Sequence, residues 1–409
     1  MSADAEAPAK GYGDTRAFDT LQSELKRPMP GLDGLRGIAI LGVVTFHFSP
    51  LLRNSVTGPF SLVVDLIQRG VFGVDLFFAL SGFLITGILL DTKQASNYFS
   101  SFYARRTLRI FPLYYGSLAL WFFVLPRFLG PANADVVGSD RQIWCWLYIT
   151  NWQEHFGRSI GYLMHLWSLS IEEQFYLLWP IVVYMLSPRQ LLRACLVVCI
   201  FSLGVRVAFI PLGFSLEDSH RLTPAQLDTL AMGGAIAVLL RDPQKYRIAS
   251  ALCTRWATLV VALLFSATAV ALHGFKFDTK AVQTIGYTVM GIAFSWLILT
   301  TVVAAGRGGI WQTIVRSGFL RSLGKYSYGI YLFHYPICAA SLNYIWGRPR
   351  LRSLGSRSPA LGVAWLVAGI AASYILAFLS WHVYERRFLI LKPYFAARLA
   401  RSVIRISPV

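Results

Sequence analysis

Long apolar stretches separated by short polar ones run along most of this chain of 409 residues. An α-helix needs roughly 20 residues to cross the hydrocarbon core of a membrane. Ten stretches of about that length lie near residues 35-53, 70-90, 110-129, 170-187, 190-212, 225-240, 256-273, 283-304, 326-346 and 361-382. A backbone inside lipid must satisfy its own hydrogen bonds, and these stretches lack the alternation of barrel strands. The pattern therefore predicts an all-α polytopic integral membrane protein with about ten transmembrane helices.

The basic residues predict the orientation of these helices. In a ten-helix arrangement, the tails and loops on the side of the N-terminus hold about two-thirds of the 38 Lys and Arg residues. Both termini are therefore predicted to be cytoplasmic. One outer loop runs against this trend, with Arg348, Arg350, Arg352 and Arg357. Residues 1-29 lack apolar periodicity and are interpreted as a flexible cytoplasmic tail, and residues 391-409 as a basic cytoplasmic tail.

Composition argues against other classes of protein. Hydrophobic residues make up 55% of the chain and charged residues only 14%, which separates it from soluble proteins. The net charge of +18 does not indicate nucleic-acid binding, because the basic residues stand in short clusters between apolar stretches. The five cysteines fall mostly in apolar stretches and lack metal-ligand spacing, so neither a disulfide framework nor a metal site is predicted.

The first apolar stretch carries candidate chemistry in Asp33, Arg36 and His47. Arg36 and His47 are eleven residues apart, about 16 Å along a helix, and share nearly one face. The imidazole would lie near the bilayer midplane, where an ionisable group costs about a few kcal/mol and is a functional candidate by default. The alternatives are a histidine satisfied by a neighbouring helix, and a plain interfacial salt bridge between Asp33 and Arg36.

The next two apolar stretches add an acidic and a basic candidate. Asp75 must face a polar cavity or a partner, whereas Ser81 and its following glycine are equally typical of close helix packing. Arg105, Arg106 and Arg109 precede the third stretch. The last two are one helical turn apart, so they can converge on phosphates such as the pyrophosphate of coenzyme A. The alternative is an anchor that contacts lipid headgroups.

A polar cluster stands before the fourth apolar stretch, on the predicted outer side. The segment MHLWSLSIEEQFYLLWP contains Trp167, Ser168, Glu172 and Glu173, as well as His165. Adjacent carboxylates at the mouth of an apolar helix are costly unless hydrated or paired. They are interpreted as an acceptor-binding surface with Trp167 stacked on a sugar, or alternatively as acidic and serine caps of a helix N-terminus.

The ninth stretch adds Tyr328 and His334 within GKYSYGIYLFH. Tyrosines near a membrane interface are expected as an anchoring belt. His334 lies roughly three helical turns inside the stretch, so it is a candidate second polar member of the cavity.

Together these segments resemble the membrane acyltransferase-3 family, which includes bacterial O-antigen and other glycan O-acetyltransferases. The resemblance covers residues 30-390, predicted as one transmembrane acyltransferase domain. Its motifs stand in family order: Arg36 separated by ten residues from His47, GVDLFFALSGFLIT around Ser81, the Arg106 and Arg109 pair, WSLSIEEQFYLLWP and GKYSYGIYLFH. The chain departs from the family pattern at Gln226, two residues before Asp228, where an arginine is common. It departs again at Arg387, where a proline is common.

The resemblance implies an enzyme that takes an acyl group, usually acetyl, from acetyl-CoA in the cytoplasm and delivers it to an acceptor on the far face. It implies that His47 is the catalytic histidine with Arg36 as partner, and that Arg106 and Arg109 form the cytoplasmic arginine pair. Acyl-CoA would be a co-substrate, without a bound cofactor or metal. We expect His47 to act as general base, with Arg36 or Asp33 setting its charge and orientation. An acyl-histidine relay is the alternative.

The sequence thus predicts a membrane-bound O-acyltransferase of the bacterial inner membrane. Its substrate would be a hydroxyl of a cell-surface or exported glycan, such as lipopolysaccharide or another polysaccharide. The expected partners are acyl-CoA, a glycan or glycolipid acceptor and membrane lipid, with no nucleic acid. A secondary transporter or flippase is the alternative, because it also needs ionisable groups near the midplane. A non-catalytic scaffold would have no need of a buried His47 or Asp75.

Overall fold

The computed structural model describes residues 12–124, 126–127, 139–153, 155–157, 160–272, 274–275, 279–306, 308–348 and 358–399. All regular secondary structure within these residues is helical, which confirms the prediction of an all-α protein. Residues 1–11 of the predicted tail lie outside the described residues, as do Arg350, Arg352 and Arg357 of the predicted outer loop.

The helices are numbered here along the described residues. The first half of the chain contains α1 (Tyr12–Leu25), α2 (Pro30–His47), α3 (Pro50–Ser55), α4 (Ser61–Gln68), α5 (Gly73–Thr92), α6 (Tyr98–Ala119), α7 (Ser139–Trp146), α8 (Thr150–Gln153), α9 (Trp167–Met185) and α10 (Pro188–Phe209). The second half contains α11 (Leu216–Arg221), α12 (Thr223–Leu239), α13 (Pro243–Leu252), α14 (Arg255–Ala271), α15 (Tyr287–Val303), α16 (Ile310–Val315), α17 (Gly318–Trp346), α18 (Pro359–Ser380) and α19 (Arg386–Leu389). Short 3-10 turns span Gly58–Phe60, Arg69–Phe72, Gly161–Leu166 and Lys392–Phe395, and π-helical turns span Leu120–Val124, Val282–Gly286 and Trp381–Glu385.

Each of the ten predicted apolar stretches overlaps a helix of the structure. Within the described residues, 6 helices are long and apolar enough to cross a membrane, or up to 8 if two bent pairs, α1 with α2 and α13 with α14, each form one span. Neither α9 nor α17 is among them, because polar side chains lower their mean hydropathy. The chain is a multi-pass membrane protein, while the count of ten spans and the cytoplasmic position of both termini stay predictions.

The helices α2 and α5 form the centre of the bundle. They contact each other, α17 packs along α2, and α12 packs along α5. The helix α9 also packs on α5, and α18 packs on α17. This arrangement brings the polar residues of α2, α5, α9 and α17 into one region of the bundle.

Glycines allow α2 and α17 to approach each other closely. A Cβ atom at Gly37 would lie 2.1 Å from the carbonyl oxygen of Leu320, and one at Gly324 would lie 1.8 Å from that of Asp33. Small residues at such contacts are typical of helix pairs in membranes, where close backbone packing replaces the hydrophobic driving force. These glycines therefore set the distance between the two helices that carry His47 and His334.

Part of the predicted flexible tail is a packed helix. The helix α1 packs on α13, and the ring centroids of Phe18 and Tyr246 are 5.5 Å apart. Gln22 donates from Nε2 to the carbonyl oxygen of Leu240 at 2.7 Å. The prediction of flexibility does not hold for this part, because contacts with a distant segment stabilise a helix whose own apolar residues are few.

The described end of the chain is held against the start of α6. Asn97 donates from Nδ2 to the carbonyl oxygen of Ala396 at 2.9 Å, and its Oδ1 accepts from the backbone N–H of Arg398 at 2.7 Å. These bonds keep the turn Lys392–Phe395 beside α6. The side chain of Lys392 is thereby positioned next to the arginines of that helix.

Candidate active site

A basic cavity of about 500 Å³ lies at the N-terminal end of α2 and is called the arginine cavity here. Its cationic lining consists of Arg36, Arg105, Arg106, Arg109, Lys325 and Lys392. Asp33 is the acidic residue among the described lining, and its Oδ1 pairs with Nη1 of Arg36 at 2.9 Å. Such an excess of guanidinium and ammonium groups suits an anion that carries several phosphates.

A smaller cavity of about 200 Å³ adjoins the arginine cavity and extends further along α5 and α17. Both cavities are lined by Arg36, Arg106 and Arg109, so they are adjacent. The remaining polar lining of the smaller one consists of Ser81, Ser168, Glu172, Glu173, Tyr176, Ser327, Tyr328 and Tyr331. We call it the tyrosine cavity.

Arg106 stands between the two cavities. Its Cζ atom lies 4.1 Å from the centroid of the Tyr176 ring, a cation–π contact worth about 0.5–2 kcal/mol. The Tyr176 hydroxyl in turn hydrogen-bonds to that of Ser81. Glu172 and Glu173 line the tyrosine cavity within electrostatic range of the guanidinium. The sequence analysis assigned these carboxylates to an outer surface, but beside a half-buried cation their own partial burial costs less free energy.

Three histidines from separate elements meet at the C-terminal end of α2, and they are called the histidine cluster. His47 ends α2, His334 lies within α17, and His165 lies in the turn Gly161–Leu166. Nε2 of His334 is 3.1 Å from Nδ1 of His47, and the ring centroids of His334 and His165 are 5.6 Å apart. His165 and His334 are buried, whereas His47 is half-buried.

Further contacts hold His47 in this cluster. Its Nδ1 lies 3.0 Å from the carbonyl oxygen of Val43, one turn earlier in α2. Its own carbonyl oxygen accepts from Sγ of Cys338 at 3.0 Å, and the ring of Tyr335 stands edge-on at 4.9 Å. The ring is therefore held by α17 as well as by α2, while Arg36 lies about 16 Å away along the helix.

Tyr331 connects the tyrosine cavity to the histidine cluster. Its side chain lines the cavity, and its hydroxyl accepts a hydrogen bond from Oγ of Ser168 at 2.5 Å. The same hydroxyl donates to the carbonyl oxygen of His165 at 2.8 Å. The carbonyl oxygen of Tyr331 lies 2.6 Å from Nδ1 of His334. Polar groups thus follow one another from the arginine cavity to the histidines.

Asp75 belongs to a second polar cluster. Its side chain is buried within electrostatic range of an ion pair between Arg206 of α10 and Asp228 of α12. Nη2 of Arg206 is 2.6 Å from Oδ2 of Asp228, and Nε donates to the carbonyl oxygen of Thr284 at 3.0 Å. The chain has Gln226 where an arginine is common in the family, and Arg206 of the neighbouring helix α10 supplies the guanidinium group that pairs with Asp228.

Trp167 does not present a free face to a ligand. It is only 7% exposed, and its ring centroid lies 4.4 Å from that of His220 and 6.1 Å from that of Phe78. The predicted stacking of Trp167 on a sugar is not supported by this arrangement, because side chains of the protein already surround the indole.

Arg105 and Tyr328 complete the set of predicted residues. Arg105 is exposed and lines the arginine cavity. Tyr328 lines the tyrosine cavity, and its hydroxyl donates to the carbonyl oxygen of Ile110 at 2.9 Å. The structure therefore gathers the predicted arginines in one cavity, with Tyr328 in the adjoining one.

The structure adds Tyr176 and Lys392 to the residues predicted from the sequence, and it moves His165 from the predicted acceptor surface to the histidine cluster. Tyr176 follows Glu173 by three positions in one helix, so their shared face was readable from the sequence. Lys392 reaches the arginine cavity from a turn after the last helix, for which no periodicity gives a signal. Burial and the three arginines of α6 lower the pKa of the Lys392 ammonium group to about 8.

Comparison with known proteins gives a family match over most of the chain. The acyltransferase-3 family model, described as an acyltransferase domain, matches residues 29–382. O-acetyltransferase OatA of Staphylococcus aureus (strain NCTC 8325 / PS 47) is 28% identical over 348 residues, which are 79% of this chain and 53% of OatA. The "Putative peptidoglycan O-acetyltransferase YrhL" of Bacillus subtilis (strain 168) is 30% identical over 380 residues, which are 88% of this chain and 55% of YrhL. The chain spans about half the length of these relatives, and no solved structure matches it.

Proposed function

Because this chain belongs to the acyltransferase-3 family of membrane O-acyltransferases, we propose that it transfers an acetyl group from cytoplasmic acetyl-CoA to a hydroxyl of a cell-surface glycan. The observation that carries this proposal is the pair of adjacent cavities. A cavity rich in arginine, fit for phosphates, adjoins a polar cavity in which the lining residue Tyr331 is hydrogen-bonded to His165 and His334 of the histidine cluster.

The arginine cavity is the proposed site of the donor's nucleotide part. Arg105, Arg106 and Arg109 lie on one helix and can hold phosphate oxygens through paired N–H groups. Water-mediated or direct, such contacts fix one end of the donor and leave its thioester arm free to extend. The arm would then follow the tyrosine cavity past Arg106 toward His47, about 16 Å along α2 from Arg36.

His47 is the proposed general base. A neutral ring nitrogen takes the proton of the acceptor hydroxyl while the oxygen attacks the thioester carbonyl carbon. A new C–O bond forms, the C–S bond breaks, and the departing thiolate of coenzyme A takes the proton from His47. General base catalysis of this kind contributes about 10²–10⁴-fold to the rate. The direct contact with His334 favours an orienting role for that residue over one on the acceptor side.

Peptidoglycan is the proposed class of acceptor. The support is the relative named "Putative peptidoglycan O-acetyltransferase YrhL", which is 30% identical to this chain. The position of His47 at the end of α2 opposite the arginine cavity agrees with an acceptor that arrives from the other side of the membrane.

The proposal is tested by transfer of labelled acetyl groups from acetyl-CoA to peptidoglycan fragments, with membranes that contain the full chain. The wild-type protein and a His47→Gln variant are compared at equal abundance. His382→Gln is the matched control, since that histidine is exposed and its Nδ1 contacts only the Phe378 carbonyl among the hydrogen bonds described. Mild alkali should release the label, because the product is an ester.

We expect the wild type and His382→Gln to transfer label equally and His47→Gln to lose at least about 100-fold. Full activity of His47→Gln would remove this histidine from the mechanism. Absence of transfer by the wild type, with acetyl-CoA and longer acyl-CoA donors alike, would refute the proposed reaction and favour a transporter.

A further inference from the structure

The contact between His47 and His334 limits where the protons of both rings can be. Nε2 of His334 lies 3.1 Å from Nδ1 of His47. A neutral imidazole has one N–H donor and one bare acceptor nitrogen. One of these two nitrogens must therefore carry a proton and the other must be bare, and the remaining contacts of each ring decide which.

The second nitrogen of His334 identifies its protonated atom. Nδ1 of His334 lies 2.6 Å from the carbonyl oxygen of Tyr331, three residues earlier in α17. A carbonyl oxygen can only accept, so Nδ1 of His334 must be the donor. A neutral, fully buried His334 then has a bare Nε2, which accepts from His47.

The contacts of His47 lead to the same assignment independently. Its Nδ1 lies 3.0 Å from the carbonyl oxygen of Val43, which also can only accept. The Nδ1–H group is therefore shared between the Val43 oxygen and Nε2 of His334. The opposite tautomer would direct lone pairs of both rings at carbonyl oxygens and leave buried acceptors unpaired, which is costly.

We propose that His334 is a positioning residue that, with the Val43 carbonyl, holds His47 in the tautomer whose Nε2 is bare. This inference rests on the proposed function, because the bare Nε2 is the atom that would take the proton of the acceptor hydroxyl. His334 itself touches neither donor nor acceptor in this scheme. It accepts one hydrogen bond from Nδ1–H of His47 before and after the proton moves.

The surroundings of His47 also stabilise the imidazolium that forms after proton transfer. His47 is the last residue of α2, where the carbonyl groups of the helix end carry partial negative charge. The Val43 oxygen and the neutral Nε2 of His334 keep their hydrogen bond to Nδ1–H and polarise toward the new charge. A carboxylate in the place of His334 would bind the imidazolium more strongly, but its own burial within the membrane would be costly.

The tautomer can be measured directly by nitrogen NMR of the full chain with labelled histidine, because protonated and bare ring nitrogens have well-separated shifts. The His47 signals are assigned by their absence from His47→Gln. We expect a protonated Nδ1 and a bare Nε2 in the wild type, and a second population with a protonated Nε2 in His334→Leu. A proton on Nε2 in the wild type, or an unchanged His47 spectrum in His334→Leu, would overturn the proposal.

Kinetics provide the second measurement. In His334→Leu we expect kcat to fall about 10- to 100-fold, the range known for removing the outer hydrogen-bond partner of a metal-ligating histidine, with KM for acetyl-CoA unchanged. His334→Gln should keep most of the activity, because its Oε1 can still accept from Nδ1–H of His47. His382→Leu is the matched control and should be as active as the wild type.

Equal activity of His334→Leu and the wild type would also overturn the proposal. Failure of the proposed function is a separate result. A wild type that transfers no acyl group would end the assignment of His47 as base, while the NMR spectra would still decide whether His334 fixes the tautomer of its neighbour.

Discussion

Lys392 offers the sharpest test of the arginine cavity as the donor site. Its ammonium group is half-buried in the cavity lining, on the turn that hydrogen bonds to Asn97 keep beside α6. A hydrogen bond to a charged partner contributes about 1.5–3 kcal/mol. The lower end applies to this half-exposed group, so Lys392→Met should weaken the binding of coenzyme A about tenfold at pH 7.

The affinity of the wild type should also depend on pH in a defined direction. In the protein without bound coenzyme A, burial and the neighbouring arginines hold the pKa of the Lys392 ammonium group at about 8. Bound phosphates favour the charged ammonium group and raise that pKa in the complex. The contribution of Lys392 to affinity is therefore complete below pH 8 and is lost as the pH rises from there toward the pKa of the complex. Lys392→Met should lack this loss.

Equilibrium calorimetry with coenzyme A, from pH 7 to about pH 10, measures both effects without a labile thioester. Pantetheine, which carries no phosphate, is the control ligand and should bind the wild type and Lys392→Met equally. Lys93→Met is the control variant, because that half-buried lysine donates to the carbonyl oxygen of Leu186 at 2.6 Å and is absent from the lining. Equal affinities of the wild type and Lys392→Met for coenzyme A, or an equal loss for pantetheine, would refute the reasoning.

Two further predictions concern the packing that supports the site. Arg206→Met leaves Asp228 buried without its cation and should destabilise the protein by about 3–5 kcal/mol. Arg206→Met combined with Asp228→Asn should recover most of this loss. Equal thermal unfolding of the single and double variants in detergent would contradict this prediction. Gly324→Ala puts a methyl group 1.8 Å from the carbonyl oxygen of Asp33 and should lower the unfolding temperature and the transfer activity. Gly318→Ala should change neither, because a Cβ atom at Gly318 would have no other atom within 4 Å. Similar behaviour of the two alanine variants would contradict the prediction that glycines set the distance between α2 and α17.

The sequence predicted most helices because hydropathy acts locally. Every predicted stretch overlaps a helix of the structure, since about 20 consecutive apolar residues have few alternatives in lipid. The helix α1 was missed for the complementary reason. Its stability comes from contacts with α13 more than two hundred residues later, including the ring contact of Phe18 with Tyr246, and no local pattern contains that information.

The sequence predicted individual residues of the candidate site but not the contacts between them. His47 and His334 were each recognised as costly polar groups within apolar stretches, but their contact joins residues 287 positions apart. His165 lies in a short turn whose path depends on the packing of α9 and α17. Glu172 and Glu173 were assigned to an outer surface, because the number of basic residues in each loop predicts only the side of the membrane on which a helix begins. It does not predict which cavity the first turns of that helix line.

The polar residues of the site also explain why two helices are not apolar enough to be recognised as membrane spans. The helices α9 and α17 supply Glu172, Glu173, Tyr331 and His334, and these residues lower their hydropathy below that of a span. The helix α10 qualifies as a span, and both α10 and α9 expose large apolar side chains such as Val197 and Leu177. A helix can afford several polar residues in a membrane only if its neighbours shield them from lipid. The polar residues that weaken the prediction of α9 and α17 as spans line the tyrosine cavity or belong to the histidine cluster, so these positions indicate where the chemistry lies.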